Sequence, residues 1–142
     1  MTAASLALQE AVYAALSVDA ALATLLGRPN ADPADNGVFD HVPEKTAFPY
    51  VTIGDDTQAD WSDKEVDGEE HTLTLHAWSR HRGRRQVKQI LGRLKALLHK
   101  QTLAMAGHDS VLIRFDFELT MLDPDGKTYH GAIRFRALTR TA

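Results

Sequence analysis

The sequence reads as an α+β fold: a mainly antiparallel sheet with one long amphipathic helix packed on it and an N-terminal helix. Three observations lead there. Residues 71–78, 111–120 and 130–139 alternate apolar and polar side chains, the pattern of half-buried strands. Residues 83–99 repeat apolar side chains at three- and four-residue steps, which makes one stripe on a helix. Asp123-Pro124-Asp125-Gly126 lies between the last two alternating stretches. Proline presets φ at one central position and glycine takes the left-handed one, so the two pair as an antiparallel hairpin. A length of 142 residues suits one domain, residues 1–142, with a sizeable core.

Residues 5–16 (SLALQEAVYAAL) are rich in good helix formers, with Leu6, Leu8, Val12, Ala15 and Leu16 mostly on one side. A second short helical piece spans 17–26, supported at its start by Asp19 and stopped by Gly27. Prolines 29, 33, 43 and 49 make 28–49 loop-like, with a brief extended contact at Val38–Val42. A strand begins at Phe48–Ile53, its proline marking a strand start or sheet edge. Residues 54–70 are too polar for a buried strand and predict an exposed, partly extended excursion. In 71–78, Leu73, Leu75 and Ala77 face one way and Thr72, Thr74, His76 and Trp78 the other. In the helix over 83–99, Val87, Ile90, Leu91, Leu94, Leu97 and Leu98 form the stripe, and Gly92 is expected to mark close packing. In the closing hairpin, Val111, Ile113, Phe115, Phe117 and Leu119 are expected on one face, with Asp116 and Glu118 together on the other.

Composition excludes several classes. There is no cysteine, hence no disulfide, thiolate metal site or cysteine nucleophile. No apolar run approaches the roughly 18 residues that span a bilayer. The opening MTAASLALQE lacks a basic stretch and reaches Glu10 too soon for a signal peptide, so the expected compartment is the cytoplasm. The net charge of −3 conceals a split. Between Asp55 and Glu70 stand eight acids and one base, Lys64; between Arg80 and Lys100 stand eight bases and no acid.

Motifs that carry chemistry are missing. His71, His76 and His81 are spaced by five, which aligns them on neither a helix nor a strand, and read as polar-face histidines rather than metal ligands. The Asp123–Gly126 run begins like a calcium loop, but Arg134 stands twelfth, where a glutamate is needed. There is no GxSxG and no Gly-rich phosphate loop. Asp116 and Glu118 lie opposite Arg134 or Arg136, which predicts cross-strand ion pairs rather than acid–base work. The chain is therefore expected not to be an enzyme and to use no cofactor or metal. The bases of Arg80–Lys100 allow a second class, a small nucleic-acid-binding module, against the simpler reading of a solvated helix face. Trp61 and Val66, inside the acidic run, either fold back onto the sheet or anchor an oligomer interface.

Four stretches carry a family resemblance. These are Leu8–Leu16 with Asp19 and Leu22–Gly27; Phe39-Asp40-His41-Val42-Pro43 followed by Phe48-Pro49-Tyr50-Val51-Thr52-Ile53-Gly54; His76-Ala77-Trp78-Ser79 leading through Gly83 into the helix that ends Leu97-Leu98-His99; and Asp123–Gly126 with His130–Thr139. In this order they resemble the tail-completion family of long-tailed phages and gene transfer agents, which includes tail terminators and tail-to-head joining proteins. The segment Pro29–Gly37 looks longer than the family's.

The resemblance implies a structural protein of the particle tail, assembled in the bacterial cytoplasm. Its members form a ring, generally of six subunits, at the head-proximal end of the tail tube. The ring ends tube polymerisation, contacts the major tail tube protein and the head–tail connector, and lets DNA pass without binding it specifically. In a head-to-tail ring, different faces of neighbouring subunits meet. The acidic residues, notably Asp60, Trp61 beside them, Asp63, Glu65 and Asp67, would then either meet Arg80, Arg82, Arg84 and Arg85 of the next subunit or line the lumen.

Overall fold

The structure, a computed structural model, describes residues 2–29 and 35–142. Most of the long Pro29–Gly37 segment therefore lies outside the described residues. The elements run α1 (Ala4–Ser17), α2 (Ala20–Leu25), β1 (Val38–Phe39), β2 (Tyr50–Asp60), β3 (Gly68–Ser79), α3 (Arg85–Leu98), β4 (Ala104–Met105), β5 (His108–Leu122) and β6 (Tyr129–Thr141). The strands form one six-stranded sheet in the order β1-β2-β3-β6-β5-β4. Every pairing is antiparallel except β1 with β2. The fold is thus α+β, with the mainly antiparallel sheet, the N-terminal helix and the long amphipathic helix that the sequence predicts.

The helices cover one face of the sheet. In α3, Val87, Ile90, Leu91, Leu94 and Leu98 are buried. They pack on Leu75, Ile133, Phe135 and Ile113, all fully buried. In α1, Leu8, Ala11, Val12 and Leu16 close the core from the side. Leu6, expected with them, is exposed: it lies two residues, about 200° of helix, from Leu8 and so faces away from the core. Each such side chain contributes about 1.5–3 kcal/mol on leaving water. Asp19 caps α2: its Oδ2 accepts from the Leu22 N–H at 2.8 Å. The same carboxylate holds Arg93 of α3 by two bonds of 2.8 and 2.7 Å, tying the two helices together. No helix among the described residues is long and apolar enough to cross a membrane.

Several local expectations change. The strand that starts near Phe48 does not give way to an excursion after Ile53; β2 continues to Asp60 because β3, starting at Gly68, supplies a ladder for it. Backbone pairing, not burial, holds that outer half. The brief contact at Val38–Phe39 is a parallel edge strand, and Ala104–Met105 adds a short strand that the sequence pattern does not show. Pairing register shifts twice along β5, between Ser110 and Leu112 and between Phe115 and Phe117. A bulge of one residue flips every later side chain to the other face. Phe117 and Leu119 therefore leave the core face that holds Ile113 and Phe115 and point to solvent. Asp116 and Glu118 are separated by the same shift. Asp116 sits at the bulge and pairs with Arg134 at 2.7 Å, whereas Glu118 stands opposite Ile133.

Gly92 marks no close contact, since nothing lies within 4 Å of where its Cβ would be. The tight approach is at Gly131, where an added Cβ would meet Leu91 and Val87 of α3 at 2.8 Å. His71 is not a polar-face residue: it is buried, with Nε2 on Thr139 Oγ1 at 2.9 Å and Nδ1 unpartnered.

Candidate functional site

The charged residues singled out by sequence occupy the two ends of β3. The acidic hairpin tip lies before Gly68 and the arginine cluster follows Ser79. A strand of 12 residues rises about 3.3 Å per residue, so the clusters are roughly 36 Å apart within one chain. They cannot neutralise each other intramolecularly. Among the described residues three ion pairs form, Arg28–Asp35, Arg93–Asp19 and Arg134–Asp116, and His130 lies 3.8 Å from Asp123. None uses an acid between 55 and 70.

The acidic hairpin is built by its own backbone. Trp61 N–H donates to Gly68 O at 2.8 Å, and Asp63 N–H to Val66 O at 3.1 Å. The Asp63 carboxylate accepts the N–H groups of Glu65 and Val66, both at 2.8 Å, which lowers its pKa and shapes the turn. Asp60 accepts the Ser62 hydroxyl at 2.6 Å. Asp60, Asp63, Glu65 and Asp67 are exposed. Asp60 stands directly opposite Glu69, a like-charge pair that costs stability in the isolated chain. Trp61 is partly buried and folds back on its own chain. Its ring lies against Gly68 and under the Arg140 guanidinium, 4.9 Å from the ring centre. Val66 stays exposed.

The basic cluster is partly committed. Arg80 donates to Thr128 Oγ1 at 3.1 Å and lies 4.3 Å above the Phe48 ring. Arg84 lies over Tyr129 at 5.6 Å. Arg82 and Arg85 are exposed. Further along α3, Arg93 is held by Asp19 and Lys95 lies over Phe115. The basic run is therefore not one free cationic face, which weakens the nucleic-acid reading.

The helix-free face of the sheet carries residues that sequence reasoning missed. Trp78 stacks on His130, with centroids 3.9 Å apart and planes 7° apart. His130 Nε2 meets His76 Nδ1 at 2.7 Å, and its other nitrogen faces Asp123 at 3.8 Å. Burial lowers the pKa of both histidines; His130 lowers that of His76 further, whereas Asp123 works against the shift at His130. Arg114 and Arg136 stand directly opposite each other, both exposed, a like-charge cross-strand pair. The alternation of the two strands places each arginine outward. Their meeting depends on the register shift at Phe115, which no residue pattern announces.

Comparison with known proteins supplies the context. A family model described as tail completion protein gp17 matches residues 10–140. The chain belongs to the tail completion gp17 family. Tail completion protein gp17 of Bacillus phage SPP1 is 30% identical over 89 residues, which is 63% of this chain and 66% of the phage protein. A chain in the virion of a native gene transfer agent particle superposes with a TM-score of 0.86 and 27% identity, covering 99% of each chain. In this tail-completion chain the family match spans both charged ends of β3 and the β5–β6 hairpin up to residue 140.

Proposed function

We propose that this chain works as one unit, residues 1–142, in a structural role at the tail of a phage or gene transfer agent particle. It forms a ring, six subunits by the family resemblance, on the head-proximal end of the tail tube. The ring stops tube growth, joins the tail to the head–tail connector and leaves a lumen for DNA. The observation that carries this reading is the family match over residues 10–140 together with the 0.86 TM-score to a chain of a gene transfer agent virion.

The two unpaired charged ends support it. An acidic end (Asp60, Asp63, Glu65, Asp67) and a basic end (Arg80, Arg82, Arg84, Arg85) separated by the length of a strand suit a ring whose two rims meet different proteins. Such charges set register and partner choice more than raw affinity. Trp61 acts here as the packed base of the acidic hairpin. No catalytic group is needed for this role.

Deleting the gene and imaging the resulting tails tests the reading. Tails of unregulated length identify a terminator. Tails of normal length that stay unattached to heads identify a joining protein. Complete, infectious or DNA-transferring particles from the deletion strain reject both.

A further inference from the structure

Two apolar features on opposite edges of the sheet are left without partners. The first is the open end of β5. Its start is covered by β4 and by residues 99–100, where Lys100 N–H donates to Ile113 O and His99 Nδ1 accepts from Phe115 N–H. From Phe117 to Leu122 no strand among the described residues lies beside the edge away from β6. Phe117, Leu119, Met121 and Leu122 are 40, 39, 41 and 42% exposed there. An open edge carrying large apolar side chains is a ready docking surface.

The second is a cleft of about 450 Å³ at the other edge, between α1 and β2. Tyr13, Ala14 and Ile53 form its apolar floor, and Gln9, Glu10 and Asp40 its rim. Its lining is mainly apolar although it opens to solvent, which is unusual for a surface that meets only water.

The two features are level with each other. Ile53 is in register with Leu75, Leu75 with Ile133, and Ile133 with Glu118. Tyr50 reaches Met121 through Trp78 and His130 in the same way. The cleft lies on the helix-covered face and Phe117, Leu119 and Met121 on the other, so a ring without axial offset in which the helix-covered face of one copy overlaps the helix-free face of the next brings the cleft to the open β5 end. Charge favours the same match. Lys88 of α3 edges the groove beside Leu119, and Arg84 lies over Tyr129, which pairs with Leu122. The cleft offers Glu10 and Asp40 in return. Glu118 shares the groove with Lys88, so the attraction rests on two cations against two carboxylates with one carboxylate opposing.

We infer that a second copy of this chain occupies the cleft: Phe117–Leu122 of one subunit seats on Tyr13, Ala14 and Ile53 of its neighbour. Because the two surfaces differ and lie on opposite edges, the contact is heterologous and propagates head to tail until it closes. This rests on the ring proposed above and names its lateral contact, which adjoins the basic rim at Arg84.

The chain has no cysteine, so an introduced pair reports one contact. The double variant Ala14→Cys/Leu119→Cys, oxidised within assembled particles, is expected to give a ladder of covalent oligomers ending at the ring number. Each single variant is expected to give monomer. Leu119→Asp, which touches only an exposed side chain, is expected to lower self-association of the purified protein by about tenfold or more with an unchanged circular-dichroism spectrum. Rings that persist in particles without a ladder, or normal association of Leu119→Asp, overturn the contact and leave the ring. Particles holding one uncrosslinked copy each overturn both.

Discussion

Gly92 and Asp19 show how far a single residue's role depends on what surrounds it. Sequence makes Gly92 a candidate for close packing, yet it faces solvent on α3 with nothing near its missing Cβ. Replacing it with alanine removes only the entropic cost of glycine in a helix. Gly92→Ala is expected to stabilise the fold by about 0.5–1 kcal/mol in a urea titration, and a loss of stability would mean that α3 packs on this side as well. Asp19 behaves as its position suggests, capping α2, but also grips Arg93 on a helix 74 residues away. The Arg93 hydrogen bonds hold its carboxyl below the usual aspartate pKa. Asp19→Ala removes the cap and leaves Arg93 without its partner, so a loss of about 2 kcal/mol is expected. Arg93→Ala leaves the Asp19 cap in place, so thermal unfolding should show a smaller loss for it than for Asp19→Ala.

At the scale of elements, β5 and the histidines carry the lesson. Alternation correctly marks the strands, and the Asp123–Gly126 turn correctly joins the last two: Gly126 has φ of 72° and donates to Asp123 O at 2.9 Å. Alternation cannot show a bulge, because an inserted residue leaves local composition unchanged. The register shift at Phe115–Phe117 therefore reassigns Phe117 and Leu119 from core to surface, and separates Asp116 from Glu118. His71 is a different case. It is expected among polar side chains, yet it stands at even spacing from Leu73, Leu75 and Ala77, so the alternation of β3 itself turns it inward, where burial lowers its pKa. Nε2 shares a hydrogen bond with Thr139 Oγ1, and in the doubly protonated ring the Nδ1 hydrogen would be buried without an acceptor. Burial also lowers the pKa of His76 and His130. Folded values below the unfolded 6.5 mean that the unfolded chain binds more protons below neutrality. The stability these groups contribute is present above pH 6.5 and lost as pH falls from there through the folded values. The urea midpoint should therefore be lower at pH 5.5 than at pH 7.5, whereas the Asp19 contribution stays until pH nears 4. A midpoint unchanged between those two pH values would contradict neutral buried histidines.

At the scale of the whole molecule, charge and stability separate. The acids of the hairpin tip touch no cation within 4 Å among the described residues, and Asp60 even opposes Glu69. Reversing Asp63 and Glu65 to lysine should change unfolding free energy by no more than about 0.5 kcal/mol. If these residues serve as a rim contact, the same double variant should assemble few complete particles. Normal particle yield from a stably folded variant would remove the hairpin tip from the interface. The sequence by itself determined the element types, the helix–sheet partition and the charge split, because each is written in local periodicity or composition. It also carried the family resemblance, through short motifs in a fixed order. Only the tertiary structure decided which charges are unpaired, that the acidic and basic clusters lie at opposite ends of β3, and that the open end of β5 is level with the cleft beside α1. Those facts depend on strand order and register. Both are set by long-range pairing and by register shifts in β2 and β5, which no short stretch of chain encodes alone.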